Sequence, residues 1–124
     1  MTKYEFAITV PASGGVHRVN VAAAAIAAGA VIHGYATIYS ASYLPSNKLF
    51  FQCNLGNSGL VFIGGSSVDQ TGAGSDYEIA SNSALPGGTA AVESQVDISD
   101  MDLSQYYVHG TAPGDVVIVS YQQA

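Results

Sequence analysis

The sequence predicts an all-β fold: a single-domain antiparallel β-sandwich, jelly-roll-like, of about eight strands. Three observations predict it. Short runs in which apolar and polar residues alternate recur along the chain, turn residues separate them at intervals of roughly 8–12 positions, and only Val21 to Gly29 has a composition that favours helix. The chain has 124 residues, 48% hydrophobic and 10% charged, which is enough for one core and too little for two domains. Residues 1–124 are therefore read as one unit, with 1–12 as an N-terminal arm or edge strand.

At the start, Tyr4, Phe6, Ile8 and Val10 alternate with Lys3, Glu5, Ala7 and Thr9, the period of a strand that buries one face. Pro11 and Ser13-Gly14-Gly15 end it, and His17, Val19 and Val21 alternate with Arg18 and Asn20 as a second short strand. The Ala-rich run Val21 to Gly29 has no polar face and is too short to be a stable helix alone. It is expected to be a tight crossing, with one helical turn, in which small side chains let two layers approach. Residues 30–43 (AVIHGYATIYSASY) read as a long strand with a bulge at Gly34. Lys48 to Cys53 and Leu60 to Ile63, joined by the turn formers Asn54 to Gly59, read as a hairpin. Gly64 to Ser75 is a polar, glycine-rich loop expected to be exposed, and Tyr77 to Ile79 is a short strand after it. A turn at 82–88 leads to a strand at 89–96, then to one helical turn capped by Ser99, with Asp102 three positions on. Tyr106 to Val108 and Val116 to Tyr121 are the closing strands.

Three Lys plus Arg against nine Asp plus Glu give a net charge of −6, a sign that repels phosphate backbones, so nucleic acid is not an expected partner. The lone Cys53 has no partner for an intrachain disulfide, and no Cys/His spacing matches a structural zinc site. The N-terminal MTKYEFAITV lacks the basic-then-apolar pattern of a secretory signal. The longest apolar stretch, Val21 to Ile32, is twelve residues against the ~20 needed to cross a bilayer. A soluble protein assembled without export, with no membrane partner, is the expectation.

His17, His33 and His109 are the candidates for a metal or acid/base site, because imidazole is a common ligand and titrates near neutrality. They stand on separate expected strands with no His-x-His or His-Glu-x-x-His spacing, so they are read as strand residues. A cupin-like metal enzyme would require all three to converge. Asp97, Asp100 and Asp102 form the densest carboxylate cluster, but the glycine and glutamate of a calcium loop are missing, and a solvated loop that caps a helical turn is the reading. Cys53, among Leu49, Phe50 and Phe51, reads as a buried inert thiol. No nucleophile elbow or phosphate loop is present, so no cofactor and no catalytic residue is expected. Eight tyrosines and no tryptophan suit surfaces where an apolar body meets protein or water, and Tyr35, Tyr39 or Tyr43 would serve a glycan-binding module as stacking faces.

At 54–64 (NLGNSGLVFIG), 85–88 (LPGG) and 102–121 (DLSQYYVHGTAPGDVVIVSY), the sequence resembles small β-sandwich structural proteins of tailed bacteriophage virions. The matching pieces are Val61-Phe62-Ile63-Gly64, Leu85-Pro86-Gly87 and Asp102-Leu103-Ser104, with Tyr107 to Gly110 and Gly114 to Val117 as the final hairpin. The similarity covers roughly the C-terminal 70 residues. It implies a non-enzymatic virion component of the capsid decoration or cement type, assembled in the host cytoplasm, with the major capsid protein and copies of itself, as a homotrimer, for partners. The contact surface is placed on the N-terminal strand at Lys3, Tyr4, Phe6 and Ile8, because a terminal strand pairs readily with a partner's sheet edge.

Overall fold

The computed structural model describes residues 2–10, 18–30, 48–54, 56–69, 71–80, 95–99 and 102–123. Among the described residues eight strands form: β1 (Thr2–Thr9), β2 (Val19–Asn20), β3 (Lys48–Cys53), β4 (Leu60–Gly64), β5 (Ser75–Ala80), β6 (Gln95–Ser99), β7 (Tyr107–Gly110) and β8 (Val116–Gln123). They make two four-stranded sheets, β1-β8-β3-β6 and β2-β7-β4-β5, with every pairing antiparallel. The strands pair as nested partners: β1 with β8, β2 with β7, β3 with β6 and β4 with β5. Such nesting is one long antiparallel ribbon rolled up so that its two layers face each other, which is the jelly-roll arrangement.

Alternation in the sequence becomes the two faces of each sheet. In β3, Leu49, Phe51 and Cys53 are buried while Lys48 and Gln52 are exposed. The first sheet contributes Phe6, Ile8, Leu49, Phe51, Ile98, Val117, Val119 and Tyr121 to the core, and the second adds Val61, Ile63, Ile79 and Val108. Tyr121 anchors one part of it. Its ring lies 5.2 Å from that of Tyr4 and meets Phe6 edge-on at 6.0 Å, and its hydroxyl donates to the Ala30 carbonyl at 3.0 Å.

Four local expectations are corrected. The Ala-rich run is a two-turn helix, α1 (Val21–Ala27), because Asn20 caps it: the Asn20 side chain accepts the Ala23 N–H at 2.9 Å. Val21, Ala22 and Ala25 then face the core, so a side of small residues does the packing expected of a crossing. Residues 48–63 are not a hairpin, since β3 and β4 lie in different sheets and their inward side chains meet across the core. The closing pair is likewise split, with β7 in the second sheet and β8 in the first. Finally, Ser99 ends β6, and the short 3-10 turn Leu103–Gln105 is capped by Asp102, whose carboxylate accepts the Ser104 N–H at 3.0 Å. The strand expected at 30–43 and the turn at 82–88 fall outside the described residues apart from Ala30, as does most of the strand expected at 89–96.

Candidate functional site

Strand β1, where sequence reasoning places the partner contact, pairs with β8 from Thr2↔Gln123 to Thr9↔Val116. Phe6 and Ile8 belong to the buried core and Tyr4 packs against it; of Lys3 only the backbone is described. The outward positions Glu5, Ala7 and Thr9 are exposed. Among the described residues β1 pairs only with β8, which leaves it at the end of the first sheet, and the buried Tyr4 hydroxyl has no hydrogen-bond partner.

The three histidines are not brought together as a described group, because His17 and His33 lie outside the described residues. Tyr35, Tyr39, Tyr43 and Asp100 also lie outside them, and of Asp97 only the backbone is described. Among the described residues no cluster of three or more His, Cys, Asp or Glu is placed to hold a metal ion. Cys53 is buried, and desolvation pushes its thiol up to about 11, partly offset by a hydrogen bond with Asn57.

His109 occupies a place that the sequence did not suggest. Val108 and Ile63 point into the core, so their neighbours His109 and Phe62, paired across β7 and β4, point to the outer face of the second sheet. Both are nonetheless buried, His109 at 1% exposure and Phe62 at 3%. The cover is segment 65–74, which folds back over that face; a Cβ on Gly72 would stand 3.0 Å from the Phe62 ring, and Val68 is fully buried outside the main core. Burying Phe62 and Val68 contributes about 1.5–3 kcal/mol each toward holding the segment down. Gln70 in this segment is outside the described residues.

Arg18 fastens the segment from the opposite edge. Its Nε donates to the Val68 carbonyl at 3.1 Å and its Nη1 to the Ser66 carbonyl. Arg18 directly precedes β2, whose Val19 pairs with Val108, the neighbour of His109 on β7. The segment is also tied internally by Asp69, whose Oδ1 accepts from the Thr71 hydroxyl at 2.6 Å and the Thr71 N–H at 2.8 Å. Those bonds from Thr71 hold the Asp69 carboxyl below its ordinary range, and the His109 charge acts in the same direction with a smaller effect. Two signals in the sequence mark this arrangement: a large apolar residue, Phe62, at an outward strand position, and a single apolar residue, Val68, inside a polar loop.

Comparison with protein families, with curated proteins and with solved structures finds no match to this chain.

Proposed function

We propose that this chain is a non-enzymatic structural protein of a bacteriophage virion, and specifically a decoration or cement protein that binds the outer surface of the head and stabilises the shell. The observation that carries the reading is the jelly-roll strand order, β1-β8-β3-β6 over β2-β7-β4-β5, an architecture that viral capsid domains use. The resemblance to phage structural proteins supports it, and its pieces take structural places: Val61 to Gly64 lies in β4, and Asp102-Leu103-Ser104 begins a capped turn whose leucine is fully buried. Lectin and cupin domains share the same architecture, so the site has to separate them. A head-binding protein gains from lattice repetition, since many weak contacts add up to avidity that a single contact lacks.

The contact in this proposal runs along β1, through its outer backbone edge and the exposed Ala7 and Thr9, with Phe6 and Ile8 holding the strand in its own sandwich. The partners are the major capsid protein and further copies of this chain, and assembly takes place in the host cytoplasm.

The test is the copy number of the chain per purified particle, by quantitative mass spectrometry against the major shell protein. Hundreds of copies support decoration of the head lattice. A dozen or fewer move the chain to a portal, collar or tail position, and absence from particles overturns the virion reading in favour of a glycan-binding module. Ala7→Lys tests the contact separately: the variant folds, because Ala7 is exposed, and loses particle binding. Full binding by Ala7→Lys removes β1 as the contact.

A further inference from the structure

Strand β5 ends the second sheet, and among the described residues it pairs with β4 alone. The direction of its backbone groups follows from β4. Leu60 turns its N–H and its carbonyl to the β7 side, where they meet the Thr111 hydroxyl at 2.9 Å and the Thr111 N–H at 3.0 Å. Bonds along a central strand alternate between its two neighbours, so Val61 and Ile63 turn theirs to Ile79 and Tyr77. Glu78, between those two, therefore points its N–H and carbonyl away from β4, along the outer edge of the sheet. Backbone groups arrayed in this way are a template for a further strand.

The side chains leave that edge open. Asp76, Tyr77 and Glu78 are all exposed, Tyr77 at 37%, although Ile79 on the same side of the strand as Tyr77 is buried. Consecutive residues of a strand point to opposite faces, so exposure of all three leaves both faces of β5 uncovered here. The register shifts between Ile63 and Gly64, which makes Asp76 an extra residue on β5.

The charges select the occupant. If β5 of a second copy added to this edge, Asp76 and Glu78 would lie near the same carboxylates of that copy, an arrangement that opposes pairing. A strand of opposite sign is attracted instead. Residues 63–124 hold eight Asp and Glu and no Lys or Arg, so no basic residue of that half offsets the edge.

We propose that β5 is a docking edge for an extended basic segment of a partner protein, which adds to the second sheet as a further strand. The partner's backbone bonds the N–H and carbonyl of Glu78; its Arg or Lys side chains on one face meet the Glu78 carboxylate, and an apolar side chain on the other lies against the Tyr77 ring. Asp76 adds to the negative field along the edge. The backbone bonds supply affinity, and the charges choose the partner. The edge lies in the opposite sheet from β1, and the proposal is independent of whether the chain is a virion protein.

The test titrates the full chain into a fluorescein-labelled peptide of alternating arginine and valine, as long as β5, and follows anisotropy at ~0.15 M salt, where exposed charges more than ~8 Å apart are largely screened. Saturable binding is expected, at least tenfold tighter than that of a glutamate–valine peptide or of the arginine–valine peptide with every backbone N–H methylated. Glu78→Lys, a change at an exposed position, should weaken binding at least tenfold. Amide exchange on the wild-type chain locates the contact: bound peptide slows the Glu78 amide at least tenfold and leaves the β1–β8 ladder as it was. Equal binding of the methylated peptide, equal binding by Glu78→Lys, or binding that leaves the Glu78 amide unprotected traces the attraction to the net charge of −6 and overturns the docking edge. Absence of binding overturns it as well, and leaves Asp76 and Glu78 the role of keeping copies of the chain apart.

Discussion

The side-chain amide of Asn57 bonds both backbone groups of Val116, with Nδ2 donating to its carbonyl at 2.7 Å and Oδ1 accepting its N–H at 2.8 Å, while the same carbonyl also accepts the Asn54 N–H at 3.0 Å. A side chain thus stands where a neighbouring strand's backbone would, at the first residue of β8. Next to it the buried Asp115 carboxylate accepts the N–H groups of Ser58 and Gly59 at 3.0 and 2.8 Å. These bonds fix the connection between β3 and β4 as it leaves one sheet and enters the other, and they tie it to the connection between β7 and β8, which makes the same crossing.

Replacing Asn57 by Leu keeps the approximate volume and removes both bonds, leaving the Val116 N–H without its partner in a buried place. Two lost hydrogen bonds and the desolvation of that group sum to about 2–4 kcal/mol. The expected result is a lower urea midpoint with an unchanged slope in equilibrium unfolding. A loss under about 0.5 kcal/mol would mean that water replaces the amide and that the crossing is held by Asp115 alone.

The covering segment depends on glycine where it meets the sheet. Gly72 has φ +88° with the Phe62 ring against it, and a Cβ on Gly64 would stand 2.3 Å from the Gly74 carbonyl oxygen, a backbone atom that has no rotamer to change. Gly72→Ala adds left-handed strain to a contact with Phe62 and is expected to cost about 1–3 kcal/mol. The loss should appear as raised amide exchange in 65–74 before the β1–β8 ladder loosens. If exchange rises equally in both, the segment is part of the core's cooperative unit and not a separate cover.

Strand alternation was readable because a one-sided strand must repeat every two residues, and β1, β3 and β8 follow the periodicity of their sequences. The partner of each strand was not. A turn such as Asn54 to Gly59 is equally suited to joining neighbours in one sheet and to crossing between two, and here the choice rests on Asn57 and Asp115 bonding to residues more than 50 positions away. Helix α1 is longer than its Ala content alone suggests because Asn20 serves twice, as the last residue of β2 and as the cap of the helix. The cover over His109 was hidden for a related reason: residues 64–75 look like exposed loop by composition, and only Val68 and the outward Phe62 hint that they bury something.

Alkaline stability should be limited by two buried acids. Desolvation pushes the Cys53 thiol up to about 11 and the Tyr121 hydroxyl up to about 12, from ordinary values of 9.0 and 10.0. The unfolded chain ionises each group first, so stability is full below pH 9 and declines as the pH rises through that window toward 12. Cys53→Ala should remove the earlier part of the decline, between about pH 9 and 11, in urea unfolding followed at stepped pH. Below pH 9 the same thiol should react with a soluble disulfide reagent only after denaturant is added; rapid native-state labelling would show that the β3 end opens locally.

Asn20 links the helix to the 3-10 turn as well as capping it. Its Oδ1 accepts the Ala23 N–H at 2.9 Å, and its Nδ2 donates to the Ser104 carbonyl at 2.9 Å, while the Val21 N–H donates to the Tyr106 carbonyl at 3.0 Å. Asn20→Ala removes both side-chain bonds and should cost about 1–2 kcal/mol. Asn20→Asp keeps the cap and loses the donor to Ser104, so it separates the two roles. If the cap is the larger contribution, Asn20→Asp retains most of the wild-type urea midpoint. If the midpoint falls as far as in Asn20→Ala, the bond to Ser104 holds the helix in place and the seven-residue α1 has no independent tendency to form.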